Sequence, residues 1–86
     1  MKKYDNKFNS IDDLVQAVKR GCEIEFLYKG KKYGIIPLKK GVAIYEFHNM
    51  ESEKFYDKIE DITTHIIENK ALSDIIEEMK IIFRSL

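Results

Sequence analysis

Eighty-six residues, 44% hydrophobic and 35% charged, with 15 Lys/Arg against 15 Asp/Glu, make one small domain of zero net charge with a limited core. The composition excludes a disordered chain, and the charge balance argues against plain electrostatic attachment to nucleic acid. One cysteine, Cys22, excludes an internal disulfide framework, and no apolar run approaches the roughly 20 residues of a membrane span.

The expected domain covers 1–86, with 1–9 a loosely held polar lead-in carrying Tyr4 and Phe8. Met1-Lys2-Lys3 is a basic start, but Tyr4, Asp5, Asn6 and Lys7 follow instead of an apolar signal core, so the expected location is the cytoplasm. Ser10 with Asp13 three residues on resembles a capping box. Ile11, Leu14, Val15 and Val18 then recur at helical spacing, Lys19 and Arg20 suit the negative end, and Gly21 stops the helix, which is predicted over 11–20.

Cys22–Phe47 reads as a three-stranded antiparallel meander. Ile24, Phe26 and Tyr28 alternate with Glu23, Glu25 and Leu27, as in a strand with one wet face. Lys29-Gly30-Lys31 suits a hairpin turn. Tyr33 and Ile35 then oppose Lys32, Gly34 and Ile36, and Pro37 ends the strand or marks an edge. After Lys39-Lys40-Gly41, the run 42–47 sets Val42 and Ile44 against Ala43, Tyr45 and Phe47, and alternation alone leaves open which face is buried.

Residues 48–52 read as a connector and 53–56 as a short fourth strand. Asp57 with Glu60 suggests another capping box, and Ile59, Ile62 and Ile66 a helix over 58–67, although Thr63, Thr64 and Ile67 lower its propensity. Leu72, Ile75, Ile76, Met79, Ile82 and Phe83 predict a last helix over 71–83. The expected class is α+β, in the order α-β-β-β-(β)-α-α, with the helices packed on one face of the sheet.

Candidate chemistry is sparse. Cys22, His48 and His65 show no zinc-ligand spacing, the carboxylates form no EF-hand, and Gly30, Gly34 and Gly41 fit no phosphate-binding pattern, so no metal or cofactor is expected. A Cys22 dyad with His48 or His65 is conceivable, but a cysteine opening an apolar strand reads first as a small buried hydrophobe. No paired carboxylates show signs of burial, and no catalytic set is expected.

Two charged features remain. Lys29, Lys31, Lys32, Lys39 and Lys40 decorate the hairpin tips, with Tyr28 and Tyr33 alongside, and could contact a nucleic-acid backbone. In a meander the two turns lie at opposite ends of the sheet, which splits that patch. Glu60, Asp61, Glu68, Asp74, Glu77 and Glu78 make an acidic surface on the late helices, able to compete for a basic groove. The chain is also polar along its length, at +5 through Val42 and −5 from Ala43 onward.

The run Arg20-Gly21-Cys22-Glu23-Ile24-Glu25-Phe26-Leu27-Tyr28-Lys29-Gly30-Lys31-Lys32-Tyr33 resembles a pattern in small uncharacterised proteins of Gram-positive bacteria, their phages and plasmids. There a helix ends in glycine, an EIEF-Y-GK-Y hairpin follows, and a late SL-EI helix comes near the end. Here Ala71-Leu72-Ser73-Asp74-Ile75-Ile76 takes the late position without the usual preceding glycine or the tryptophan. Some small proteins of that mobile-element setting inhibit CRISPR effectors, including Cas9. The resemblance implies a fold and a setting, and it carries no functional residue.

The expected function is therefore a non-enzymatic macromolecule-binding protein, a phage or mobile-element inhibitor of a host defence complex such as Cas9. A protein or ribonucleoprotein would be met through the acidic helices (Glu60, Asp61, Asp74, Glu77, Glu78) or the basic turns. The alternative is a nucleic-acid-binding accessory domain using the hairpin lysines and sheet aromatics. No membrane partner is expected, and a homodimer could form through an edge strand or the apolar helix 71–83.

Overall fold

The computed structural model describes residues 7–85. The first helix, α1 (Ile11–Lys19), starts at Ser10, whose Oγ accepts from the Asp13 amide at 3.2 Å. It ends in a Schellman motif: Gly21 N–H donates to Val18 O at 2.9 Å and Cys22 N–H to Ala17 O at 3.1 Å. That closure needs the φ of +97° at Gly21, and it turns the chain straight into the sheet.

Four strands follow as a meander: β1 (Ile24–Tyr28), β2 (Lys31–Leu38), β3 (Gly41–Glu46) and β4 (Asn49–Tyr56). β1 and β2 are joined through Lys29 and Gly30, both at positive φ, which gives the turn the twist of its flanking strands. At Gly41 a Cβ would collide with the Tyr56 carbonyl, so the close approach of β4 requires glycine there. The fourth strand is longer than the expected 53–56 because β3 continues to organise it as far back as Asn49.

The chain then crosses the sheet in short pieces: a 3₁₀ helix (Ile59–Thr64), a small hairpin of β5 (Ile66–Ile67) and β6 (Lys70–Ala71), and α2 (Leu72–Ile75) running into a 3₁₀ turn (Ile76–Glu78). It returns as β7 (Lys80–Arg84), antiparallel to β1. The five-stranded sheet has the order β4-β3-β2-β1-β7. The α+β class, the leading helix and the meander are as expected.

Two expected helices are corrected. Over 58–67 only a 3₁₀ segment forms, because Ile59, Ile62, Thr63 and Thr64 crowd a helix at χ1, and Glu68 and Asn69, both at positive φ, fold the next residues into a hairpin. Over 71–83 the helix stops at Ile75, and residues 80–84 are an edge strand. Met79 and Ile81 are buried while Lys80 is exposed, a period of two that the spacing Met79–Ile82–Phe83 conceals.

One core results. Ile24, Phe26, Tyr28, Tyr33, Ile35, Val42 and Ile44 line one face of the sheet, so the open question about β3 resolves with Val42 and Ile44 inward. Leu14, Val15 and Val18 of α1, then Ile62, Ile67, Leu72, Ile75, Ile76 and Met79 from the crossing segment, roof that face. Phe8 is part of the same core, and Arg84 lies 4.6 Å over its ring. The expected lead-in therefore has an anchored residue at Phe8, and residues 1–6 lie outside those described.

Candidate functional site

Strand alternation places Leu27, Ile36, Ala43, Tyr45, Phe55 and Phe83 on the face away from the helices. Glu25 is registered against both Gly34 and Phe83, Gly34 against Tyr45, and Ala43 against both Ile36 and Phe55. Of these six only Ala43 is buried, at 2% exposed; Leu27, Ile36 and Tyr45 are half-buried. Phe55 is 66% and Phe83 45% exposed, and no described element covers them. The two exposed aromatics of this face lie on the two edge strands, β4 and β7, with half-buried apolar side chains between them.

Its middle is pre-shaped by contacts within the face. The Tyr45 ring lies across Gly34, where any Cβ would strike its phenol end. Tyr45 and Phe47 pack with centroids 5.4 Å apart, and the Lys32 ammonium sits 4.3 Å over the Phe47 ring. The phenol of Tyr45 is held above its ordinary pKa, by burial first and then by the carboxylates of Glu25, Glu23 and Glu53. Lys32 is the nearby cation, and it is paired to Glu25 at 3.5 Å. Aromatic side chains surrounded by carboxylates suit a cationic, apolar partner surface and repel phosphates.

The residues singled out by charge fall elsewhere, and the structure disperses them. Lys29 sits in the first hairpin turn with its ammonium 5.8 Å over the Tyr28 ring. Lys31 pairs with Glu68 at 3.3 Å, which joins the β1–β2 turn to the β5–β6 turn and holds the lysine pKa above its ordinary value. Lys39 and Lys40 are exposed in the β2–β3 turn, at the other end of the sheet. Tyr28 and Tyr33, expected beside these lysines, point into the core instead, since they alternate in phase with Phe26 and Ile35. The exposed sheet aromatics are Phe55 and Phe83, while Tyr45 and Phe47 are half-buried.

On the acidic side, Glu60 is ion-paired to Lys19 of α1, whose ammonium holds the carboxyl below the usual range. Asp61 lies beside it in the same 3₁₀ segment, with its backbone carbonyl taking the Thr64 hydroxyl. Asp74, Glu77 and Glu78 are exposed on the second crossing piece. These five sit on two short pieces and not on one continuous helical face.

The thiol–imidazole arrangement is not assembled. Cys22 is 1% exposed at the base of β1, and His48 sits in the exposed β3–β4 turn, at the opposite end of the sheet by register. His65 bonds Tyr56 instead. Among the described residues no three His, Cys, Asp or Glu side chains gather as metal ligands, and no helix is long and apolar enough to cross a membrane. The open face was visible in part as the second set Ala43, Tyr45 and Phe47. Its outer members were hidden because Phe83 is counted in a helical stripe and Phe55 lies in the weakest strand signal. No protein family, curated relative or solved structure matches the chain.

Proposed function

We propose that this chain is a non-enzymatic, cytoplasmic protein-binding module that docks a basic, apolar segment of a partner on the open face of its sheet. The observation that carries this reading is the pair of exposed aromatics Phe55 and Phe83 on one sheet face with half-buried Tyr45, near which lie Glu23, Glu25 and Glu53. Exposed aromatics supply area at low cost in side-chain entropy, and the carboxylates choose a cationic partner. The likeness of the Arg20–Tyr33 segment to mobile-element proteins makes an inhibitor of a host defence complex the first class to try. A Cas9-type effector presents a positively charged channel, opposite in sign to the carboxylates of this face.

The test is co-purification with a Cas9-type effector, comparing wild type with Phe55→Ser/Phe83→Ser and with Glu25→Lys/Glu53→Lys. Both pairs should release the effector while leaving the thermal midpoint nearly unchanged, because all four side chains lie outside the core. Release by Glu77→Lys/Glu78→Lys or by Lys39→Glu/Lys40→Glu, with the face variants still bound, would reject the face. Absence of any complex at low salt would reject the effector.

A further inference from the structure

At the edge of the roofed side, the sheet is not fully closed. The inward positions of β4 are polar (Ser52, Lys54 and Tyr56), and the crossing segment reaches Tyr56 through His65. A groove of about 540 Å³ is left there, between β3–β4 and the β5–β6 hairpin, lined among others by Glu46, Lys54, Tyr56, His65, Ile66 and Ile67. That volume falls within the range of small-ligand sites.

Two of its charges, Lys54 and Glu46, are opposites that are not joined, while Glu68, which also lines it, is paired with Lys31. Among the described residues Lys54 forms no ion pair, and the only side-chain hydrogen bond to the Glu46 carboxylate comes from Asn49, at a long 3.4 Å. Lys54 is registered against Ile44, and Glu46 lies two residues, about 7 Å, further along β3, past the point where the β3–β4 register shifts.

A second donor stands at the lysine end. Tyr56 Oη and His65 Nδ1 are 2.8 Å apart. Burial, and then the Lys54 charge, push the imidazole below its ordinary pKa, so the ring is neutral at pH 7. With Tyr56 donating to Nδ1, the ring proton resides on Nε2. The groove thus offers Lys54 and a neutral imidazole N–H at one end, and the Glu46 carboxylate at the other, with Ile66 and Ile67 contributing apolar wall.

We infer that this groove binds a zwitterion of dipeptide size with apolar side chains, its carboxylate toward Lys54 and His65 and its ammonium toward Glu46. An extended dipeptide spans about 7 Å end to end, the length of that two-residue step along β3, and a single amino acid spans half of it. The groove shares Tyr45 with the open sheet face, but Lys54, His65 and Glu46 do not belong to that face, and the inference stands whether or not the face binds a protein.

The experiment is an amide chemical-shift titration of the full chain with the dipeptide Phe-Leu, its N-acetyl form and its C-terminal amide. Free Phe-Leu should shift resonances of 52–56 and 64–68, and blocking either end should weaken binding roughly tenfold, the value of one charge-assisted contact. Lys54→Met should weaken the free dipeptide and leave the amide form unaffected, and Glu46→Gln should do the same for the acetyl form. The wild-type and variant spectra themselves report whether the fold is kept. Equal binding of free and blocked forms, or no shift in the groove at millimolar dipeptide, would overturn the assignment.

Discussion

The Tyr28 hydroxyl is buried with the rest of its side chain, which is 2% exposed, and has no hydrogen-bond partner among the described residues. A buried hydroxyl in that state has lost its water without replacement and lowers stability. Tyr28→Phe keeps the ring in the Ile24–Phe26–Tyr28 row and removes the orphan. It should stabilise the fold by about 1 kcal/mol, a rise in Tm of roughly 4–8 °C for a domain of this length. Thermal melting checks it, and a fall in Tm would mean that the hydroxyl has a partner in solution. The inward direction of Tyr28 was legible from the sequence, since it shares the phase of Ile24 and Phe26. What the residue row could not show is that no acceptor waits for the phenol, because that depends on what the roof brings above it.

The stretch 72–84 shows how two periods can be confused within one element. Leu72, Ile75, Ile76 and Met79 keep helical spacing and are all buried, so the first half of that pattern was read correctly. Beyond Met79 the same composition serves a strand: Lys-Ile-Ile-Phe-Arg is β-branched and aromatic, and β1 offers an unpaired edge. Tertiary pairing decides between the two, and no local signal announces it. Their core lists differ, which gives a direct test. As a strand, Ile81 is inside and Ile82, at the irregularity opposite Glu25 and Phe26, is 42% exposed. Ile81→Ala should therefore cost roughly 2–4 kcal/mol, and Ile82→Ala less than about 1 kcal/mol. Urea denaturation of the two variants measures both, and the reverse order would restore the helix. The meander was legible because its turns carry glycine at the positions that need positive φ, whereas the crossing segment uses Glu68 and Asn69, ordinary residues that hide a hairpin in a helical-looking row.

At the scale of the whole molecule, the opposite charges of the two halves of the sequence are brought together by the fold. Lys19 pairs with Glu60 and Lys31 with Glu68, each a basic first-half residue with an acidic second-half one. The polarity along the chain is thereby partly neutralised within the structure, which weakens long-range steering as an explanation for it. The pairs also fix the pH range of their contribution. Glu60, with its pKa lowered below the usual 4.5, stabilises the fold above the unfolded value, and this is lost as pH falls through the depressed one. Lys31, raised above 10.5, stabilises below the unfolded value and loses its effect as pH rises through the raised one. Between those limits the Lys19→Met/Lys31→Met double variant should melt below wild type. The two melting curves should converge in acid, for the Glu60 pair, in strong alkali, for the Lys31 pair, and at neutral pH in concentrated sodium chloride, which screens exposed pairs. Melting across pH at two salt concentrations distinguishes this from simple loss of the lysine stems. A gap that stays constant across pH and salt would assign the loss to aliphatic packing and leave the polarity of the two halves without a role in stability.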